Sequence, residues 1–190
     1  MHPRPNPILA SPRPRVPASS SSRRGFTLIE ILCVVVIIGL TSAIILPQMG
    51  SRDDQRVASA SRMLMADLLY AQNRSIAYQT RHYVQFNTVT NSYQVMVDSG
   101  SNTPGSVITH PVNSVSYVQT VGTGSLAKVS MQSVSFDSNT TIAFDTMGVP
   151  YSYNATTGLA PLTSGSVVFQ AGINKLTVSV APYSGEITVH

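Results

Sequence analysis

Between Phe26 and Leu46 the chain reads FTLIEILCVVVIIGLTSAIIL, 21 residues of which 16 are apolar and one, Glu30, is charged. As a helix this run covers roughly 30 Å, the thickness of a bilayer's hydrocarbon core, so the sequence predicts a single membrane-spanning segment. Glu30 is the anomaly, because a carboxylate inside a spanning segment costs about 2.5–3.5 kcal/mol or more unless a partner neutralises it. Upstream, Arg23 and Arg24 abut Gly25, and no small-x-small cleavage site follows the apolar run. Removal by an ordinary signal peptidase is therefore not expected.

The string Gly25, Phe26, Thr27, Leu28, Ile29, Glu30 after a basic stretch resembles the precursor start of the type IV pilin and type II secretion pseudopilin superfamily. The resemblance implies that a prepilin peptidase cuts between Gly25 and Phe26 on the cytoplasmic side and that the new Phe26 amine is N-methylated. It also implies a partner for Glu30, the N-terminal amine of a neighbouring subunit, so that two isolated charges become one intermolecular contact. Gly39 and Pro47 match the family as well. Gly lowers helix propensity and Pro removes a backbone donor, so the helix between them is its weakest part and a place for partial unwinding. The plainer reading is that Gly39 permits close helix packing and Pro47 marks the membrane edge.

The net charge of +4 does not describe the processed chain, because Arg4, Arg13, Arg15, Arg23 and Arg24 all lie before Phe26. Beyond that point seven basic residues face eight acidic ones. The high isoelectric point therefore reports topology, with the leader cytoplasmic and the rest outside; the resemblance implies that the membrane is the bacterial inner membrane and that the remainder is periplasmic before entry into a filament. The lone cysteine, Cys33, sits in the apolar run as a small lipid- or helix-facing side chain, so no internal disulfide is available to the exported part.

Residues 1–25, rich in Pro, Arg and Ser, read as a disordered leader. After Pro47, Val57, Ala60, Leu64, Leu68 and Ala71 recur at helical spacing, with Arg56, Arg62, Asp67 and Arg74 mostly elsewhere around the barrel. One continuous helix of roughly 75 Å, from Phe26 to about Tyr78, is expected, its second half lying under a sheet. From Arg81 the composition turns to Ser, Thr, Asn, Val and Gly. Strands are expected at 82–86 and 93–97 around a turn, then at 115–121, 128–136 with a bulge, 141–144, 166–170, 176–180 and 187–189. Residues 98–106 read as a loop. The organisation is thus a leader (1–25), a membrane or filament-core helix (26–46), its amphipathic continuation (47–80) and a β-rich domain (81–190), an α+β, pilin-like fold.

The segments IAFDTMGVP (Ile142 to Pro150), SVVFQ, LTVSV and YSGEITV are similar to the GspH/FimT branch of the superfamily. Some members of that branch bind DNA through basic residues at the C-terminal Gly motif, where this chain has Ser184, Gly185, Glu186 and Ile187. From His82 onward only Lys128 and Lys175 oppose Asp98, Asp137, Asp145 and Glu186, so few phosphates would be neutralised and nucleic acid is not an expected partner. His2, His82, His110 and His190 are scattered, with no metal-ligand spacing, phosphate loop or nucleophile elbow. No catalytic residue, metal or cofactor is expected. Asp53 and Asp54 read as solvated charge near the membrane, and Asp98, Asp137 and Asp145 as turn residues. Tyr151 and Tyr153, in a Gly/Pro/Asn-rich loop, and Tyr183 are either anchors for a partner or edge packing.

The expected function is a minor pseudopilin of the H type, assembling with other pilin-like subunits into a type II secretion pseudopilus. The alternatives are a FimT-like minor pilin of a type IV pilus and a lone membrane-anchored β domain.

Overall fold

The computed structural model describes residues 25–48 and 52–190, with the side chains of 43–48 outside the description. The expected leader lies outside it except for Gly25. The chain divides into two compact units at Gln48. The first holds helix α1, Leu28–Gln48, and the second begins with helix α2, Asp53–Tyr78. The expected single helix is thus represented by two, and the residues that would join them, 49–51, are outside the description.

In α2 the apolar positions fall on one face. Val57, Ala60, Leu64, Leu68 and Ala71 are all fully buried, as their spacing requires. Asp53 and Asp54 complement the helix dipole in the first turn. At the other end Gln79 takes the left-handed conformation (φ 51°), and the amides of Gln79 and Thr80 both turn back to the Ser75 carbonyl, which stops the helix.

The strands are β1 His82–Asn87, β2 Ser92–Asp98, β3 Pro104–Val107, β4 Val118–Thr120, β5 Ser130–Phe136, β6 Thr141–Phe144, β7 Pro150–Asn154, β8 Gly158–Pro161, β9 Gly165–Ala171, β10 Asn174–Val180 and β11 Ile187–Val189. They form two antiparallel sheets. The larger runs β3-β2-β1-β6-β7-β8, with β4 also paired to β2, and the smaller runs β11-β10-β9-β5. Helix α2 contacts β1 and β6 of the first and β9, β10 and β11 of the second. Phe86 of β1 joins the sheets on the core side, its ring 5.5 Å from those of Tyr93 and Phe136.

Two expectations for the chain after Arg81 are overturned. Part of the expected loop 98–106 is strand β3, because the free edge of β2 offers its backbone groups and Pro104, at the first strand position, withholds no needed donor. Tyr151 and Tyr153 are not in a loop. They lie on β7, between β6 and β8, and Tyr153 meets the buried Tyr83 edge-on at 5.5 Å, so packing accounts for it. The bulge expected within 128–136 is present between Met131 and Ser133. The expected strand 115–121 forms β4 over Val118–Thr120, with a separate antiparallel bridge from Ser116 to Thr109.

Asn91 ties the sheets together. It ends the β1–β2 turn at φ 52°; its side-chain amide donates to the carbonyls of Val121 (2.8 Å) and Val129 (2.9 Å) and accepts from the Met131 amide (2.7 Å). Asn91→Ala strips partners from three half-buried backbone groups and leaves a non-Gly residue at positive φ. It should lower unfolding free energy by about 2–4 kcal/mol in a denaturant titration, with the fold otherwise retained.

Candidate assembly segment

Gly25, Phe26 and Thr27 precede the first turn of α1, so the Gly25–Phe26 bond lies in non-helical chain. The start of α1 is written in the same residues that carry the motif. Thr27 Oγ1 accepts the Glu30 amide at 3.3 Å, and the Thr27 carbonyl accepts both the Glu30 and Ile31 amides, the threonine half of a T-x-x-E capping box. Glu30 is exposed and stands in the first turn, where a carboxylate suits the helix dipole.

Around α1 the apolar side chains are exposed on every side. Leu28, Ile29, Ile31, Leu32, Val35 and Ile38 are each more than half exposed, and Phe26 reaches 79%. A helix apolar all round has no solvated face to offer and needs apolar cover on all sides. Its hydroxyls are already satisfied, since Thr41 donates to the Ile37 carbonyl (2.8 Å) and Ser42 to that of Ile38 (2.6 Å). Cys33 is exposed. Gly39 lies within the helix, and a Cβ placed there would meet nothing within 4 Å, so it leaves a shallow notch in the surface. Pro47 falls in the last turn of α1, with its side chain outside the description. Among the described residues no helix is long and apolar enough to cross a membrane. The described side chains of α1 run from Leu28 to Ser42, 15 residues or roughly 22 Å, whereas its backbone extends over 21 residues, roughly 31 Å.

The second unit contains a polar cluster that the sequence reading missed. Asp67 was expected off the apolar face of α2, yet it is 8% exposed. The signal was in the spacing, because Asp67 lies three residues after Leu64 and four before Ala71, both on that face. Its carboxylate accepts hydrogen bonds from Tyr93 of β2 (2.5 Å) and from Tyr117 (3.0 Å), and Tyr117 lies between the rings of His110 (4.4 Å) and Tyr70 (5.4 Å). Burial pushes the Asp67 carboxyl above its ordinary range, against the pull of the two phenols and of His110. It likewise raises Tyr93 and Tyr117. Tyr83, buried on the opposite face of the larger sheet, is pushed up to about 12 by the same cause.

A neighbouring chain of contacts runs from Tyr70 through Arg74 to His82. Arg74 donates to the Tyr70 hydroxyl (2.8 Å) and to His82 Nε2 (3.2 Å), while His82 Nδ1 donates to the Thr80 carbonyl (2.8 Å). Both ring nitrogens are thus engaged in the neutral form. Burial lowers the His82 pKa; the Thr80 carbonyl opposes this and the Arg74 charge adds to it.

The turn acids behave as turn acids. Asp98 accepts the Gly100 amide, Asp145 the amides of Met147 and Val149, and Asp137 those of Thr163 and Ser164. Among the described residues no cluster of His, Cys, Asp or Glu is arranged to hold a metal ion. Glu186 is exposed beside Gly185, and Tyr183 is 77% exposed in the turn before it.

A lowered histidine pKa has a defined consequence. The unfolded chain takes up its proton near 6.5 while folded His82 still resists, so the contribution is complete above 6.5 and lost as pH falls through the folded value. Urea titrations should therefore show the wild-type chain losing stability relative to His82→Gln on acidification from pH 7, the opposite contribution of Asp67 being common to both.

Comparison with known proteins bears on the N-terminal segment. A family pattern, the prokaryotic N-terminal methylation motif, matches residues 20–46. Over 38 residues the chain is 50% identical to the type II secretion system core protein G of Pseudomonas aeruginosa, a match covering 20% of this chain and 27% of that relative. No solved structure matches.

Proposed function

We propose that this chain, whose N-terminal segment is that of the type IV pilin and pseudopilin superfamily, is a minor pseudopilin of the H type in a type II secretion pseudopilus. The observation that carries the reading is the uninterrupted string Gly25 to Glu30 at the head of a helix whose apolar side chains are exposed on every side. Members of the superfamily are structural subunits, and here too the proposed mechanism is assembly without catalysis. The leader holds the chain N-in, with a single pass through the inner membrane and the second unit periplasmic. Prepilin peptidase cleaves after Gly25, and the amine of Phe26 is methylated.

In the bilayer, lipid covers the apolar surface of α1; in the filament, neighbouring subunits' helices do. Glu30 pairs with a neighbour's Phe26 amine and sets the axial register, which supplies the partner its charge requires. Gly39 admits a close neighbour, and the stretch from Gly39 to Pro47 is where the helix would loosen during packing. The segments IAFDTMGVP, SVVFQ, LTVSV and YSGEITV resemble the GspH/FimT branch, which holds both the H type and FimT. A FimT-like subunit of a type IV pilus is the second reading, and Glu186 at the Gly motif disfavours its DNA-binding form.

Intact mass and N-terminal sequencing of the protein from native membranes test the first step. A chain starting at methylated Phe26 only when the peptidase is present is the expected result, and a chain retaining Met1 would remove the basis of the mechanism. Glu30→Ala should leave cleavage intact and cut recovery in sheared filaments by about tenfold or more, as expected for loss of a desolvated ion pair; unchanged incorporation would refute the Glu30 role.

A further inference from the structure

Charge is unevenly distributed along the second unit. At the end where α2 begins lie Arg52, Arg56, Lys128 and Lys175 with Asp53 and Asp54. Asp53 and Arg56 pair at 3.0 Å, so once that pair counts as neutral three cations stand against one carboxylate. Toward the end where α2 stops, Arg74 and Arg81 are outnumbered by Asp98, Asp145 and Glu186. Hydrogen bonds and close approaches fix these groupings. A Cβ on Gly172 would come 3.2 Å from Asp53, and Gly124 and Ser125 line a groove with Arg52 and Arg56. At the opposite end Gln72 reaches the Gly148 carbonyl, and Arg81 lies 3.7 Å from Asp98.

The cationic end also carries apolar side chains at turn tips. Ile173 is 95% exposed in the two-residue turn between β9 and β10, where Gly172 (φ 60°) supplies the needed conformation and nothing in the turn calls for an aliphatic residue. Val89, 93% exposed, tips the β1–β2 turn that Asn91 fastens beside Val129, next to Lys128. Exposed aliphatic tips at the end of the unit that also holds its lysines have the composition of an interfacial membrane contact. In sequence, three residues separate Arg52 from α1.

We propose that this end of the second unit rests on an anionic phospholipid surface, with Ile173 and Val89 entering the headgroup layer and Arg52, Lys128 and Lys175 facing lipid phosphates. The inference depends on the membrane-anchored reading above. It gives the β domain a fixed orientation over the bilayer before extraction, with the acidic end directed away.

The chain contains no tryptophan, so one introduced residue reports alone. Full-length Ile173→Trp and, as a control at the acidic end, Met147→Trp would be reconstituted into phosphatidylcholine vesicles with or without phosphatidylglycerol, together with headgroup-level quenching lipids. Trp at 173 should be blue-shifted and quenched about twofold or more over Trp at 147 in the anionic vesicles, with Lys128→Glu/Lys175→Glu abolishing the difference. Equal quenching at both positions in a chain that floats with vesicles overturns the contact while leaving the anchor intact. Shielding of Trp at 173 that follows protein density and ignores lipid charge also overturns it, in favour of contact between copies. Failure of the chain to float removes the anchored reading itself.

Discussion

The second unit depends on one stripe of α2. Val57, Ala60, Leu64, Leu68 and Ala71 are small to medium apolar residues that let two sheets approach the same helix, and all five are without solvent contact. Neither sheet could bury its inner face on the other alone in this arrangement, because β1 and β6 on one side and β9, β10 and β11 on the other meet α2. Phe86 and Phe136 then close the seam between them. With no disulfide available, this apolar burial, of order 25 cal/mol per Å², is the main favourable term for the unit.

Within that core the chain retains ionisable groups that an apolar residue would replace at lower desolvation cost. Asp67 is buried but accepts hydrogen bonds from two phenols, one on β2 and one in the segment just before β4, so it selects one placement of β2 and of the Tyr117 segment against α2. Its raised carboxyl pKa means that ionisation near neutrality works against folding, so its contribution to stability is greatest in acid and fades as pH rises through the folded value. His82 acts in the opposite sense. The two groups belong to adjoining networks, through Tyr117 against Tyr70 and Arg74 between Tyr70 and His82.

The first unit poses the converse problem. Over its described side chains, helix α1 is apolar in every direction apart from Glu30, and its hydroxyls bond back to their own helix. Such a helix is suited to exchanging one apolar surrounding for another, lipid for neighbouring helices, at little change in solvation. Glu30 is then the one described side chain of α1 with a net charge to direct, and the Thr27 cap leaves it at the exposed first turn.

The amino-acid order by itself determined the apolar helix and its motif, the buried face of α2, the bulge in β5 and the positions of β6 and β11, because periodicity, apolar runs and turn residues are local properties. Its spacing also placed Asp67 on the apolar face, although the charge of the residue argued the other way. What only the tertiary structure decided is non-local: that Pro104 to Val107 becomes a strand on the open edge of β2, that Tyr151 and Tyr153 lie in a ladder, and that two tyrosines 26 and 50 residues away converge on Asp67. Strand pairing and buried hydrogen bonds depend on partners distant in sequence, and a chain read residue by residue carries no record of which edge or which carboxylate will be left to satisfy.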